Sequence, residues 1–525
     1  MKYPKVCIII STSYIGKLHS IDPKKDWNLI NFEAYMEKEK QYQPYHVVLF
    51  VSSILLCLGL LSFFVPEHGW QIGGQTLRLL TFEKALSPKK QIKKNIENVV
   101  NDVDTSLTEA PINLIKHEGK SNGDMGAPTK GSLPHESSTE LIFNEAGQQK
   151  LYQLFEKLES VANKKQKIHV IHYGDSQIEG DRMTAYIRQR LQNEFGGTGP
   201  GLVAANNVYN TQSFVQTFSP NFIRYTCFGG PFLKNKKYGV MGSAARFTPE
   251  KDTSKVKTEK EGWIEISPSR SAYSRAKNYN HVSLYYTSCI KPCKLSVYEN
   301  GKLIHEDSLI NDGAHHKLKL DFENTPGKLR FVFRSELSPT ISNLSLEGDF
   351  GVQVSNVAMR GSSGKIFGYM DQLVLGNTYA DLNADVFIMQ FGGNSVPFFR
   401  DSSSVRNYAR AFQGQLNTLK RLRPSATIFV IGPSDMSRLN EGVFETYPLL
   451  PYCVQQMRKK TVEIGAIYWD LFYAMGGENS MPAWVEKGLA GNDYIHFSPK
   501  GASIATQKFF EAFASAYLEW SNQNP

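Results

Sequence analysis

Two stretches in which strand and helix patterns alternate predict an α/β protein built on a parallel sheet. Between them, residues 201–351 carry short alternating strands and almost no helical pattern, which predicts an inserted β-sandwich. A single apolar run near the N-terminus predicts a transmembrane helix ahead of both. The chain has 525 residues, too many for one ordinary domain, and its 41% hydrophobic and 12% aromatic content suits a real core.

The apolar run is "HVVLFVSSILLCLGLLSFFV", and nineteen uncharged residues follow His46. That length spans the hydrocarbon of a bilayer as a helix. No small-residue cleavage site follows it, so residues 46–66 are expected to stay as an uncleaved anchor behind a tail at 1–45. Lys38 and Lys40 before the span and Arg78 and Lys84 after it leave the charge rule for orientation near a tie. Met36 is a second candidate start, because "MEKEKQYQPY" makes a short charged segment before the span. Residues 67–140, with "KHEGKSNGDMGAPTKGSLPHESS", have the composition of a flexible spacer.

The first α/β stretch covers 141–200. "ELIFNEAGQQKLYQLFEKLESVAN" has helical spacing through Leu151, Leu154, Phe155 and Leu158. "KIHVIHYG" is an apolar strand, and "RMTAYIRQRLQNEF" sets Met183, Ile187 and Leu191 at helical spacing. The second stretch covers 352–525. It predicts strands at "VQVSNVAM", "DVFIMQFGG", "ATIFVIGPS" and "AIYWDLF", interleaved with helices at "KIFGYMDQLVLGN", "SVRNYARAFQGQLNTLKRLRP", "CVQQMRKKTVEIG" and "SPKGASIATQKFFEAFASAYLEW". Strands alternating with helices give a parallel sheet covered on both faces, with ligands beyond the carboxyl ends of the strands. In the insert, "GWIEISP", "HVSLYYTS", "CKLSVYENGKLIHED", "HKLKLDF", "KLRFVFRS" and "TISNLSLEG" read as strands, with a hairpin turn at "ENGK".

Four motifs fall at strand ends or helix entries: Gly174-Asp175-Ser176, "MRGSSG" with Gly361, "FGGNS" with Asn394, and "NDYIHFSPKG" with Asp493 and His496. Taken singly, each has an ordinary reading as a turn, a loop or a helix cap. Together they supply one chemistry. A serine hydroxyl becomes a nucleophile when a base takes its proton; His496 suits that task, with Asp493 setting its tautomer. The backbone N–H groups of Ser176 and Gly361 and the Asn394 amide are candidate donors to an oxyanion.

In this order the motifs resemble those of the SGNH hydrolases, also called GDSL esterases. The resemblance covers 141–200 and 352–525. It implies a flavodoxin-like three-layer α/β/α fold, with Ser176 as nucleophile, His496 as base, Asp493 as its partner, and Ser176, Gly361 and Asn394 as the oxyanion hole. Gln177 departs from the leucine of the family name, and Ser395 stands where an acid often follows the asparagine. Gly364 lies close enough to compete with Gly361. The β-rich insert makes the layout similar to that of Gram-negative peptidoglycan O-acetylesterases. That likeness implies an O-acetylated glycan substrate, peptidoglycan, with the acetyl group on a sugar hydroxyl, and a single-pass protein of the inner membrane facing the periplasm. An O-acetyltransferase working beside a membrane acyltransferase, and a non-catalytic glycan-binding scaffold, are the alternatives.

The formal charge of +9 comes from 59 basic residues scattered among 50 acids, with no basic block interleaved with aromatics, so no nucleic-acid partner is expected. Twelve histidines without ligand spacing predict neither metal nor cofactor. Cys289 and Cys293 in "CIKPC" are open to either a disulfide or two buried thiols. In the insert, Trp263, Tyr273, Tyr285 and Tyr286 are candidates for stacking on sugar rings, although strand alternation sets Tyr285 and Tyr286 on opposite faces.

Overall fold

The computed structural model describes residues 44–64, 70–72, 75–77, 90–101, 140–161, 163–250 and 258–524. The alternative start at Met36 and most of the expected tail and spacer lie outside the described residues. The chain divides into a unit ending at Pro88 and a unit beginning at Lys89. The first unit contains helix α1 (Pro44–Ser62), which is long and apolar enough to cross a membrane and buries none of its residues. A short antiparallel pair follows, β1 (Trp70–Ile72) with β2 (Gln75–Leu77).

The second unit opens with helix α2 (Glu97–Asn101). Residues 90–101 fall in the stretch expected to be spacer, yet they pack on the large domain. Ile96 is buried, with Val99 and Val100 beside it, and the Lys94 N–H donates to the Asn479 carbonyl at 3.1 Å. Three apolar side chains at i, i+3 and i+4 give this piece a stripe to bury, despite its lysine-rich surroundings.

The large domain proceeds through β3 (Leu141–Ile142), α3 (Glu145–Ser160), β4 (Lys167–Gly174) and α4 (Thr184–Phe195). Residues 141–142 were expected to be helical. They form an edge strand instead, because Asn144 caps α3 through the Gly147 N–H at 3.0 Å and so ends the helix there. After the insert come β16 (Gly351–Ala358), α5 (Gln372–Leu382), β17 (Ala384–Gln390), α6 (Ser402–Leu422), β18 (Thr427–Ile431), α7 (Leu450–Glu463), β21 (Ile467–Trp469) and the closing helix, Pro499–Gln523. The sheet order is β16-β4-β17-β18-β21-β3; all neighbours are parallel except β3, which runs antiparallel to β21. Counted along this domain alone, the five parallel strands follow the doubly wound order 2-1-3-4-5. The order reverses between β4 and β17, so a crevice opens beyond their carboxyl ends.

The insert is two antiparallel sheets. One carries β13 (His316–Asp321), β10 (His281–Thr287), β15 (Thr340–Glu347), β8 (Ser243–Arg246) and β7 (Ile223–Thr226), with β5 (Gly201–Ala204) also on β15. The other carries β12 (Lys302–Leu309), β11 (Cys293–Glu299), β14 (Leu329–Ser335), β9 (Lys260–Pro268) and β6 (Phe214–Phe218). Through β10, β15, β8 and β5 the first sheet is covered on both faces. Val203, Leu284 and Tyr286 face the sandwich core, while Leu202, Ala204 and Tyr285 pack with Tyr173 and other α/β residues.

This double cover corrects the expectation for the insert's aromatics. Tyr285 and Tyr286 point to opposite faces, yet both are buried, since neither face of β10 meets solvent. The guanidinium of Arg330 lies 4.0 Å from the centre of the Trp263 ring. Cys289 and Cys293 are buried free thiols of the same core.

Candidate active site

Beyond the end of β4 the chain turns sharply. Asp175 caps a 3-10 helix (Ser176–Asp181), its Oδ1 accepting the Gln177 N–H at 3.0 Å. Ser176 is the first residue of that helix, so its N–H has no intrahelical acceptor. The helix is held from below. Asn356 of β16 donates to the Ile178 carbonyl at 2.9 Å and to Thr184 Oγ1 at 2.7 Å, and Thr184 Oγ1 lies 2.9 Å from His172 Nδ1. Burial pushes the His172 imidazole far down, to about 3, so this histidine is a neutral strut.

His496 arrives on the loop before the closing helix. Gly491 N–H donates to the His496 carbonyl at 2.8 Å, and Ala490 bridges Phe497. Inside this closed loop, Asp493 Oδ1 accepts the N–H groups of Ile495 at 3.0 Å and His496 at 3.1 Å. Its Oδ2 lies 2.7 Å from His496 Nδ1, and His496 Nε2 lies 2.7 Å from Ser176 Oγ. Partial burial works to raise the Asp493 carboxyl, but the His496 ring and the two backbone donors outweigh it and hold the group below its ordinary range. Tyr494, in the left-handed region at φ +58°, stacks flat on Phe444, with ring centres 3.5 Å apart and planes at 7°. Phe444 belongs to the hairpin β19 (Ser437–Asn440) and β20 (Val443–Thr446), so a second element buttresses the loop.

The remaining two motifs meet across the crevice. The Ser362 N–H donates to the Met359 carbonyl at 3.0 Å, closing a turn with Arg360 and Gly361 at its centre. Gly361 has φ +77° and open space where a Cβ would stand. Gly364, at φ +80°, has the Phe391 ring 2.7 Å from that point, so it serves packing. Asn394 is the second residue of the 3-10 helix after β17 (Gly393–Phe398), and its Nδ2 donates to Asp175 Oδ2 and to the Ser362 carbonyl, both at 3.1 Å. Both amide hydrogens are therefore engaged in the resting protein. Burial pushes Asp175 up to about 6; the donors from Gln177 and Asn394 and the nearby His496 only partly oppose it.

Ser176, His496, Gly361 and Asn394 line one cavity of about 580 Å³. Asp493 stands behind His496, outside the lining. Among the described residues no group of histidine, cysteine, aspartate and glutamate is arranged to hold a metal ion. This geometry can support proton transfer from the serine hydroxyl to the imidazole and fixes which ring nitrogen faces the serine.

Several lining residues carried no signal of their own in the sequence. Glu179 and Arg360 form a two-pronged ion pair, both contacts 2.6 Å, at the cavity rim. Phe398, also in the lining, stands exposed. Glu179 and Arg360 are far apart in sequence, so no local pattern announces the pair. Gln177 departs from the family motif in the sequence itself, but its partners lie on the His496 loop, which no local pattern announces.

The fold is that of the SGNH hydrolases. A solved structure described as "Peptidoglycan O-acetylesterase in action, 5 min" superposes with a TM-score of 0.56 at 20% identity, covering 72% of this chain and 99% of that one. A family two carbohydrate esterase from Clostridium thermocellum, in complex with cellohexaose, matches at 12% identity with a TM-score of 0.23, over 58% of this chain and 100% of that one. An acetyl xylan esterase from the rumen bacterium Butyrivibrio proteoclasticus matches at 11% identity with a TM-score of 0.23, over 58% and 99%. No family model matches the chain, and no curated protein matches it.

Proposed function

We propose that the chain is a serine esterase that removes O-acetyl groups from an extracytoplasmic glycan, with peptidoglycan as the substrate. The observation that carries this reading is the run of two 2.7 Å contacts from Ser176 Oγ through His496 to Asp493, opening on a cavity. The fold shared with a peptidoglycan O-acetylesterase supports the choice of ester and polymer. Residues 141–200 and 352–525 make up the hydrolase domain, 201–351 the insert, and 46–66 a single-pass anchor in the inner membrane, which leaves the domain in the periplasm.

In the reaction Ser176 Oγ attacks the acetyl carbonyl carbon while His496 Nε2 takes the hydroxyl proton. Asp493 holds the opposite ring nitrogen protonated and steadies the imidazolium. The tetrahedral oxyanion takes hydrogen bonds from the Ser176 and Gly361 N–H groups and from the Asn394 amide, which gives up its resting bond to the Ser362 carbonyl to donate. Collapse breaks the ester C–O bond, and the sugar oxygen leaves with the proton from His496. A water molecule, deprotonated by His496, then attacks the acetyl-serine; acetate leaves and Ser176 regains its proton.

The test incubates the full chain in detergent with O-acetylated peptidoglycan and measures free acetate. The expected result is steady release, absent in Ser176→Ala. No release sinks the reading, and so does acetyl that leaves the donor only to reappear on an added glycan acceptor, which identifies a transferase.

A further inference from the structure

The catalytic cavity does not end at the Arg360-Gly361 turn. The opposite side of that turn lines a second depression of about 730 Å³, so the two share Arg360 and Gly361 as a common wall. The far side of this groove comes from the insert, from the β7–β8 connection; the near side is the chain from Ser362 to Tyr369. The two sides are tied together. The Asp371 N–H donates to the Lys236 carbonyl at 2.9 Å, and within the insert's own wall the Leu233 N–H donates to the Tyr238 hydroxyl at 2.7 Å. The walls are thus set before any ligand arrives.

Its lining has two unusual features. Phe232 and Tyr369 are 63% and 59% exposed, whereas the aromatics of the sandwich interior are buried. Exposed flat rings at a groove edge suit the apolar faces of pyranose rings. Lys236, Lys365 and Arg360 also line it, and no carboxylate does. Arg360 is already engaged by Glu179 on the catalytic side, so the two lysines are the cations the groove offers. A neutral polysaccharide has no use for them.

Resting on the esterase reading, we infer that this groove is an outer subsite for a glycan chain bearing carboxylates, which extends from the acetylated sugar in the catalytic cavity across the Arg360-Gly361 turn. The rings of Phe232 and Tyr369 stack on sugars, and Lys236 and Lys365 meet carboxylates next to the reacting residue. Specificity for an acidic polymer is then built jointly by the α/β domain and the insert.

The test uses a matched pair of unacetylated tetrasaccharides with the same β-1,4 backbone: chitotetraose, which is neutral, and an alternating glucosamine–muramic acid tetrasaccharide (both sugars N-acetylated), which carries lactyl carboxylates. Calorimetry on the full chain is expected to show the acidic ligand binding about tenfold more tightly at low ionic strength, and the preference should vanish near 1 M salt, where charges more than about 3 Å apart are screened. Lys236→Ala with Lys365→Ala should abolish the preference, and Lys236→Arg with Lys365→Arg should keep it. Tyr369→Ala should weaken both ligands alike. Equal affinities for the two ligands, no binding of either, or a preference that survives the double alanine variant overturns the proposal. Binding needs no turnover, so a chain that prefers the acidic ligand but releases no acetate would defeat the esterase reading and leave the subsite standing.

Discussion

The side-chain amide of Gln177 donates to the Ile495 carbonyl at 2.7 Å, and its Oε1 accepts the Phe497 N–H at 3.4 Å. The residue after Ser176 thus grips the chain on both sides of His496, linking two loops about 320 residues apart in sequence. A leucine at this place can fill the space but cannot make either bond. Gln177→Leu is expected to cost about 1–3 kcal/mol of stability, because it leaves the buried Phe497 N–H and the half-buried Ile495 carbonyl without these partners. It should also lower kcat with little change in KM, since Ser176 and His496 lose their common brace. Steady-state kinetics and thermal melts check both; an unaltered kcat would show that the tie serves stability alone.

Ser176→Ala and His496→Ala are each expected to reduce kcat on an aryl acetate by roughly 10⁴-fold or more, and the double variant should be little worse, because the two groups act as a unit. Multiplicative losses in the double variant would break the assignment of a shared relay.

Asn394→Ala should lower kcat by roughly 10²–10³-fold at near-constant KM, as removal of one transition-state donor does. The structure adds a second arm. Since Nδ2 is anchored by Asp175 and Ser362, Asp175→Ala should reproduce part of the same kcat loss without touching the donor itself. A rise in KM at constant kcat in either variant would make the pair a substrate-binding feature.

Asp175 also sets a pH dependence. Burial holds its folded carboxyl at about 6, above the ordinary aspartate value of 3.8. Between these values the native state holds more protons than the unfolded one, so this group's contribution to stability falls as pH rises from about 4 to 6 and is flat above. Asp175→Asn removes that penalty. Relative to the parent, the variant should gain up to about 3 kcal/mol between pH 4 and pH 7, at about 1.4 kcal/mol per pH unit. Glu347, held well below its ordinary range, works in the opposite direction but is common to both proteins and cancels. Side-by-side denaturant unfolding at pH 4, 5.5 and 7 checks the sign; a pH-independent difference refutes it.

The two candidate glycines separate by substitution. Gly361→Ala has room for its methyl group and pays only for left-handed backbone, about 1–2 kcal/mol. Gly364→Ala bears a similar strain and also drives a methyl into Phe391, which adds about 1–3 kcal/mol. Gly364→Ala should therefore melt well below Gly361→Ala, while the loss of kcat per folded molecule should be larger in Gly361→Ala. The reverse order in activity would move the backbone donor to the other end of the turn.

Much of the α/β framework was legible because period and length announce it. "KIHVIHYG" and "DVFIMQFGG" are mostly apolar and buried at nearly every position, as strands covered on both faces are, and Ser402–Leu422 has its buried residues on one helical stripe. Shorter elements were not. Residues 141–142 merged into the helix that follows them, and Ile96 was lost in a lysine-rich stretch, because two or three apolar residues are too few to set a period. In the insert, β5, β6, β7 and β8 went unseen for the same reason: they are only four or five residues long.

By itself, the sequence determined the residue types and the order of the site: Ser176 at a strand end, Asn394 after another, and Asp493 three residues before His496. Those features are local, and local stereochemistry constrains them. Tertiary structure alone decided what those residues meet. The 2-1-3-4-5 strand order opens the crevice between β4 and β17. Gln177 grips the histidine loop, Asn394 spends both amide hydrogens on Asp175 and Ser362, and Tyr285 disappears between two domains. Each of these depends on contacts between segments tens to hundreds of residues apart. Side-chain pairing at such distances leaves no periodic trace in the chain, because it is fixed by the packing of whole layers rather than by the backbone preferences of neighbouring residues.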